Sequence, residues 1–274
     1  MNESAMDTAR QPVRAERRGP GYWRVTFDNP PLNLYDPEVE AGLVRIVAQL
    51  EADAEVKVVV FDSALADFFM AHLNVGRTRE FGDGMPTWFD LIDRLGRARF
   101  ITVATIRGRA RGIGNEFLLA LDVRFASREN AILGQPQVGM GIIPGCGGMQ
   151  RLSRLTGRAR ALEIIASGED YDAEMAERYG WINRAVPDAE LDAFVDRFAQ
   201  RIAFFDAEAL VAVKAILNEE NPPPTGESLK ASYARYSQLL ARDSVQQRFQ
   251  QLGQATPDMI LDLELNLGER IGPR

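Results

Sequence analysis

From residue 13 to residue 200, short runs of β-branched and aromatic residues alternate with helical stripes, and this alternation constrains the fold more than any other feature. Residues 13–18 and Tyr22–Phe27 flank Gly19-Pro20-Gly21 and read as a β-hairpin. Asn29-Pro30-Pro31 ends the second strand, because proline cannot donate to a ladder. Asp36-Pro37 has the form of an N-cap with proline at the first helical position, and Val39, Leu43, Ile46, Val47 and Leu50 follow as one apolar stripe. Residues 58–61 and 100–106 read as buried strands. Between them lie the polar, glycine-bearing stretch 76–86 and a helix carrying Trp88, Leu91, Ile92 and Leu95. The second strand runs into Gly108, Gly112 and Gly114, followed by a helical run at 116–121 and a short strand at 123–126. Strands alternating with helices predict an α/β core in which helices cover a sheet.

The pattern changes from residue 188 onward. Segments 191–204, 207–217, 227–241 and 244–252 all carry helical periodicity, and Asn221-Pro222-Pro223-Pro224 breaks the second from the third. The expected organisation is a flexible tail over residues 1–12, an α/β core over 13–200 and a helical region over 201–274.

Composition excludes several function classes. With 46% hydrophobic and 26% charged residues, the chain has the make-up of a folded soluble protein. Its 32 basic residues against 39 acidic ones give a net charge of −7, which argues against a nucleic-acid partner. A single cysteine, Cys146, rules out an intrachain disulfide, and with a single histidine, His72, it disfavours a zinc site. No apolar run reaches the ~20 residues that span a bilayer, and the arginine-bearing first 19 residues lack the apolar stretch of a secretory signal. A cytoplasmic location with no membrane partner is expected.

Two stretches carry chemistry. One is Phe68-Phe69-Met70-Ala71-His72-Leu73-Asn74-Val75; the other is Gly108-Arg109-Ala110-Arg111-Gly112-Ile113-Gly114-Asn115-Glu116. A glycine turn that opens a helix aims free N–H groups at negative charge, which suits an oxyanion. It is no Walker loop, since no Lys-Ser/Thr pair follows. Further on, Gly134-Gln135-Pro136-Gln137 and Ile143-Pro144-Gly145-Cys146-Gly147-Gly148-Met149-Gln150-Arg151-Leu152 resemble the GQPE and IPGxGGTQRL segments of the crotonase (enoyl-CoA hydratase/isomerase) superfamily. Gly180-Trp181-Ile182-Asn183-Arg184-Ala185-Val186-Pro187 resembles that family's GLVNxVVP passage, and Lys214 sits where the family often has a lysine-bearing helix.

The resemblance, over residues 13–250, implies a crotonase-like spiral of ββα units followed by helices used in self-association, as a homotrimer or hexamer. It implies an acyl-CoA substrate, no further cofactor, and an enolate held by the backbone N–H groups of Leu73 and Ile113, in the setting of fatty acid metabolism. Carried over position by position, the catalytic residues are Glu116, Gln137 and Gly145, with Ala71, Asn74 and Gly112 at the substrate. The expected activity is that of an enoyl-CoA hydratase or isomerase, a lyase or isomerase with one glutamate as acid and base. The alternatives are a specialised thioester hydrolase or decarboxylase, and a catalytically silent acyl-CoA-binding oligomer.

The chain also departs from the pattern. Gln137 stands in place of the second glutamate, and an amide cannot exchange protons at neutral pH. His72 replaces a glycine beside an oxyanion donor and is a candidate proton carrier in place of the lost carboxylate. Asn74 replaces a common aspartate, and Gln250-Gln251-Leu252 follows Phe249 where the family continues into Lys-Arg. Arg107, Arg109 and Arg111 read as a solvated face in preference to a phosphate contact, and Cys146 as a small packing residue.

Overall fold

The computed structural model describes residues 11–82 and 85–272. The expected tail at 1–12 lies outside them except for its last two residues, as do two positions of the 76–86 stretch. The chain opens with β1 (Val13–Gly19), β2 (Tyr22–Phe27), α1 (Pro37–Ala52), β3 (Val58–Ser63), β4 (Phe68–Met70) and α2 (Pro86–Arg97). There follow β5 (Ile101–Ile106), β6 (Arg109–Arg111), α3 (Ile113–Leu118), β7 (Val123–Ser127) and β8 (Ile132–Gly134). Next come α4 (Gly148–Thr156), α5 (Arg158–Ser167), β9 (Asp170–Asp172), α6 (Ala173–Tyr179), β10 (Arg184–Val186) and α7 (Asp188–Phe204). The chain then continues as α8 (Ala207–Glu220), α9 (Gly226–Leu240), α10 (Asp243–Leu252), α11 (Pro257–Leu265) and α12 (Leu267–Arg270).

The strands divide between two sheets. One has the order β1-β2-β3-β5-β7-β10 and is parallel except for the β1–β2 hairpin; the other has the order β4-β6-β8-β9. Along the chain, β3, β5 and β7 enter the first sheet, and β4, β6 and β8 follow each of them into the second. After β4 and β6, helices return the chain to the first sheet. After β8 it runs through α4 and α5 to β9 of the second sheet before α6 leads back to β10 of the first. This spiral of ββα units places the α/β fold in the crotonase class.

The strand sequences explain how the larger sheet is buried. In β3, Val58 and Val60 point to one face and pack with Leu191, Val195 and Ala199 of α7. Val59 and Phe61 point to the other face, into a core with Leu43, Phe117 and Trp88. A strand covered on both faces reads as a continuous apolar run, because the period of two is filled on each side. The helix expected at 116–121 begins earlier, at Ile113, with Gly112 as its N-cap residue. Four helices matched the periodicity from residue 188 onward. By contrast, α4, α5, α6, α11 and α12 were not read from the sequence. They are short, from 4 to 10 residues, and too few turns repeat for a stripe to stand out.

Candidate active site

The site forms where β4 and β6 end side by side in the smaller sheet. β6 leads into Gly112, whose φ of +52° turns the chain so that α3 starts at Ile113. The first turn of α3 lies so close to β4 that a Cβ at Gly114 would overlap the Met70 carbonyl. Glycine at 114 is therefore what lets the two strand ends converge.

Around this junction the structure gathers most of the sequence candidates. A side chain at Gly112 would meet the Gln137 amide nitrogen at 3.5 Å and the His72 Cβ at 3.6 Å, so His72, Gln137 and Gly112 are neighbours. Leu73 and Ile113 are both buried. Among the described residues, neither the Leu73 N–H nor the Ile113 N–H meets a protein acceptor; the adjoining bridge uses the Tyr35 and Asn74 amides instead. For Ile113 this follows from its place as the first residue of α3, since a helix leaves its first N–H groups without intrahelical acceptors and so open to another acceptor. Asn74 donates its N–H to the Tyr35 carbonyl and starts a 3₁₀ turn. Ala71 is fully buried with Leu32 and Phe68, and its N–H is used by the Leu32 carbonyl.

Glu116 is buried in the first turn of α3. Its Oε1 accepts from the backbone N–H groups of Cys146 (3.0 Å) and Gly148 (2.8 Å). Burial raises its pKa from 4.5 to about 7, against the lowering effect of these two donors and of the Arg151 charge. The loop that supplies the donors is itself fixed, because the Trp88 indole N–H donates to the Cys146 carbonyl. Gly145, expected near the reacting water, packs against the Tyr236 ring of α9, where a Cβ would come within 2.9 Å. Gln137 is the second residue of a 3₁₀ turn, Pro136–Met140, and its side-chain oxygen is buried without a partner. The Cys146 thiol is buried and its pKa is pushed well up, in keeping with a packing residue.

His72 is held at both ring nitrogens. Nδ1 lies 2.7 Å from the Leu73 carbonyl oxygen and Nε2 lies 3.0 Å from Oε1 of Glu264 in α11. The Leu73 carbonyl and the Glu264 carboxylate are both acceptors, an arrangement that favours the charged ring. Burial alone would lower its pKa, but the Glu264 carboxylate and the Leu73 carbonyl outweigh burial and raise it. Both ring nitrogens are engaged by protein groups in this geometry.

The three alternating arginines are not a solvated face. Arg107 pairs with Asp188 and Asp192, and Arg109 donates to the Leu265 carbonyl. Arg111 is buried, forks onto the Asp170 carboxylate at 2.7 and 2.6 Å, and also donates to the Glu264 carbonyl. Lys214 is likewise buried, bonded to Asp122 and to the Leu95 and Phe100 carbonyls. Phe249 packs in a small cluster with Ile142, Tyr236 and Val245. Sequence reasoning missed Glu264, Asp170, Arg151 and Tyr236. Thr256-Pro257 followed by Ile260, Leu263 and Leu267 was an available signal for a helix start. Nothing in the sequence joins Glu264 to a histidine 192 positions away.

A sequence profile of the enoyl-CoA hydratase/isomerase family matches residues 18–254, and the chain belongs to that family. A short-chain-enoyl-CoA hydratase of Clostridium acetobutylicum is 33% identical over 69% of this chain and 74% of its own length. A crotonyl-CoA hydratase of Syntrophomonas wolfei is 37% identical over 55% of this chain and 56% of its own. A crystal structure of a candidate enoyl-CoA hydratase from Streptomyces avermitilis superposes with a TM-score of 0.89 at 44% identity, covering 96% of this chain and 97% of that one. Among the described residues no helix is long and apolar enough to cross a membrane.

Proposed function

We propose that this chain transforms an enoyl-CoA thioester through an enolate, with the Leu73 and Ile113 amides as the oxyanion hole and Glu116 as the acid and base at Cα. The observation that carries this reading is the pairing of two buried, unpartnered N–H groups with a buried carboxyl whose pKa stands at about 7. A thioester oxygen that gains charge needs donors already in place, and one such donor is worth on the order of 10²–10³ in rate. A carboxyl near neutrality exists in both forms at working pH, as proton transfer in either direction requires. The steps proposed are proton transfers, and coenzyme A arrives as part of the substrate. Gly112 and Ala71 would border the thioester by their main chain, since one has no side chain and the other packs its methyl inward. Asn74 would border it on the same loop, and Gly145, backed by Tyr236, would border the space beyond Glu116.

Self-association as a homotrimer or hexamer is part of this reading. Phe204 is 87% exposed and Val213, Ile216 and Leu217 are each 58% exposed, an apolar face that water does not favour. Light scattering on the purified protein reads the assembly directly.

The test of function is incubation with a panel of enoyl-CoAs in deuterated water, with product masses read for the parent and Glu116→Gln. Gain of one water or of deuterium at Cα by the parent, lost in the variant, is the expected result. A parent that leaves every thioester unchanged would remove this reading in favour of acyl-CoA binding without turnover.

A further inference from the structure

We propose that Glu264, delivered by the C-terminal helix α11, is the second carboxylate of this site and serves as general base to the water that adds at Cβ; this rests on the enolate reading above. The structure supplies three reasons. Glu264 is only 5% exposed, and while its Oε1 is paired with His72, its Oε2 is buried with no partner. An orphaned buried carboxylate oxygen costs several times an ordinary hydrogen bond unless something donates to it. The Gln137 side-chain oxygen is a second buried acceptor without a donor, and it belongs to the same neighbourhood, since Gln137 and His72 both border Gly112. Water has two O–H donors to offer such a place, whereas a thioester carbonyl has none.

The position is also fixed by bonds unrelated to His72. Arg111 donates to the Glu264 carbonyl at 2.5 Å, and Arg109 donates to the Leu265 carbonyl at 2.9 Å. Asp170, forked onto Arg111, accepts from the Gly268 N–H at 3.2 Å, which ties down the segment after α11. The C-terminal helix is thus anchored on β6, the strand that leads into Gly112 and Ile113. The charged groups facing Glu264 are His72, Arg111 and Arg109, and they hold its pKa below the ordinary value although burial alone would raise it. It therefore stands ready as a base, while Glu116, at about 7, retains the proton needed at Cα.

The step balances as follows. A water proton passes to Glu264 Oε2 as the water oxygen bonds Cβ, and the π electrons of the double bond move into the thioester as an enolate. The enolate takes the Glu116 proton at Cα. One water has then added across the double bond, and the two carboxyl groups recover their starting forms by proton exchange with solvent.

The test uses the full-length protein and (E)-but-2-enoyl-CoA, with hydration followed from pH 5 to pH 9. Glu264→Gln is expected to lower kcat by about 10²-fold, the scale of general-base catalysis. KM should change by less than about threefold, and the loss in kcat should be similar across pH 5–9, because a carboxyl held below its ordinary pKa is already ionised throughout that range. Because glutamine could also loosen α11, the double variant Glu264→Gln with Gln137→Glu is made as well. Restoring a carboxylate at 137 should recover at least about tenfold in kcat over Glu264→Gln, and at least about tenfold more than Gln137→Glu adds to the parent, a difference that a purely structural role for Glu264 would not give. A single variant with kcat within threefold of the parent overturns the proposal, and so does a double variant with no recovery. A parent that does not hydrate the thioester overturns the enolate reading itself, an outcome seen before any variant is compared.

Discussion

Replacing Glu116 by glutamine separates the chemistry of this side chain from its contribution to the fold. The amide oxygen can still accept from the Cys146 and Gly148 N–H groups, so the loop that begins α4 keeps its two anchors. What disappears is the charge. A carboxyl that ordinarily titrates at 4.5 and here titrates at about 7 is more costly to ionise in the folded protein than in the unfolded chain. At about 1.4 kcal/mol per pH unit, the cost comes to about 3 kcal/mol.

The sign follows from which state holds the proton more tightly. The folded protein does, so this group's contribution to stability is full below 4.5 and is lost as pH rises to about 7. Glutamine never ionises. The variant should therefore match the parent at pH 5 within about 1 kcal/mol and exceed it at pH 8 by up to about 3 kcal/mol, or roughly 5–10 °C in Tm for a chain of this size. Over the same range its kcat on an enoyl-CoA should be lower by about 10²–10⁴-fold. Thermal unfolding at the two pH values, with turnover measured on the same samples, checks both halves. A Tm difference that is equal at pH 5 and pH 8 would refute the buried-charge argument, and turnover within tenfold of the parent would refute the catalytic one.

Other substitutions probe the frame around the site. Gly114→Ala places a Cβ against the Met70 carbonyl and within 2.9 Å of the Met70 Cβ. It should cost about 2–4 kcal/mol, with lost turnover at temperatures where the fold survives, as circular dichroism and kinetics together would show. Trp88→Phe removes the indole donor from the Cys146 carbonyl and should cost about 1–3 kcal/mol in urea unfolding. Because the Cys146 N–H binds Glu116, the same variant should also shift the pH profile of turnover. Lys214→Met removes the cationic partner of Asp122, which keeps only the Thr102 donors, and leaves the Phe100 carbonyl without its lysine donor. It should cost about 2–4 kcal/mol, with part of the loss recovered when Asp122→Asn is added, as urea titration of the pair would show.

How much of this was legible in the sequence depended on the range of the interaction that decides each feature. The α1 stripe of Val39, Leu43, Ile46, Val47 and Leu50 was readable because a local period fixes it, and all five are buried. Glu116 was readable because a glycine turn and the first turn of a helix lie within five residues of each other. Its pKa was not readable, since that depends on burial by the rest of the fold, which raises it, and on the N–H donors of a loop 30 positions away, which lower it. The arginines of β6 were misread because alternation on a strand shows only that two of them share a face. It does not show whether that face meets water or, as for Arg111, an aspartate 59 positions on. His72 was noticed for its place beside Leu73, yet its protonation is set by α11.

The loss of a carboxylate at position 137 acquires a physical reason once the C-terminal helix is in place. Glu264 already sits beside His72, and His72 and Gln137 both border Gly112. Together with the buried Glu116 and Glu264, a glutamate at the half-buried position 137 would add a third acidic group, and like charges at close quarters raise one another's pKa and oppose folding. Gln137→Glu in the otherwise unchanged protein should thus lower stability at pH 8 by about 1–2 kcal/mol and have less effect at pH 5, where carboxyls whose pKa has been raised are mostly protonated. With Glu264→Gln also present, the same substitution should cost at most about half as much, because one of the opposing charges is gone. A double-mutant cycle by urea unfolding at the two pH values measures that coupling. Additive effects at both pH values would mean that positions 137 and 264 do not share an electrostatic site, and the glutamine would then need an explanation other than the carboxylate that α11 supplies.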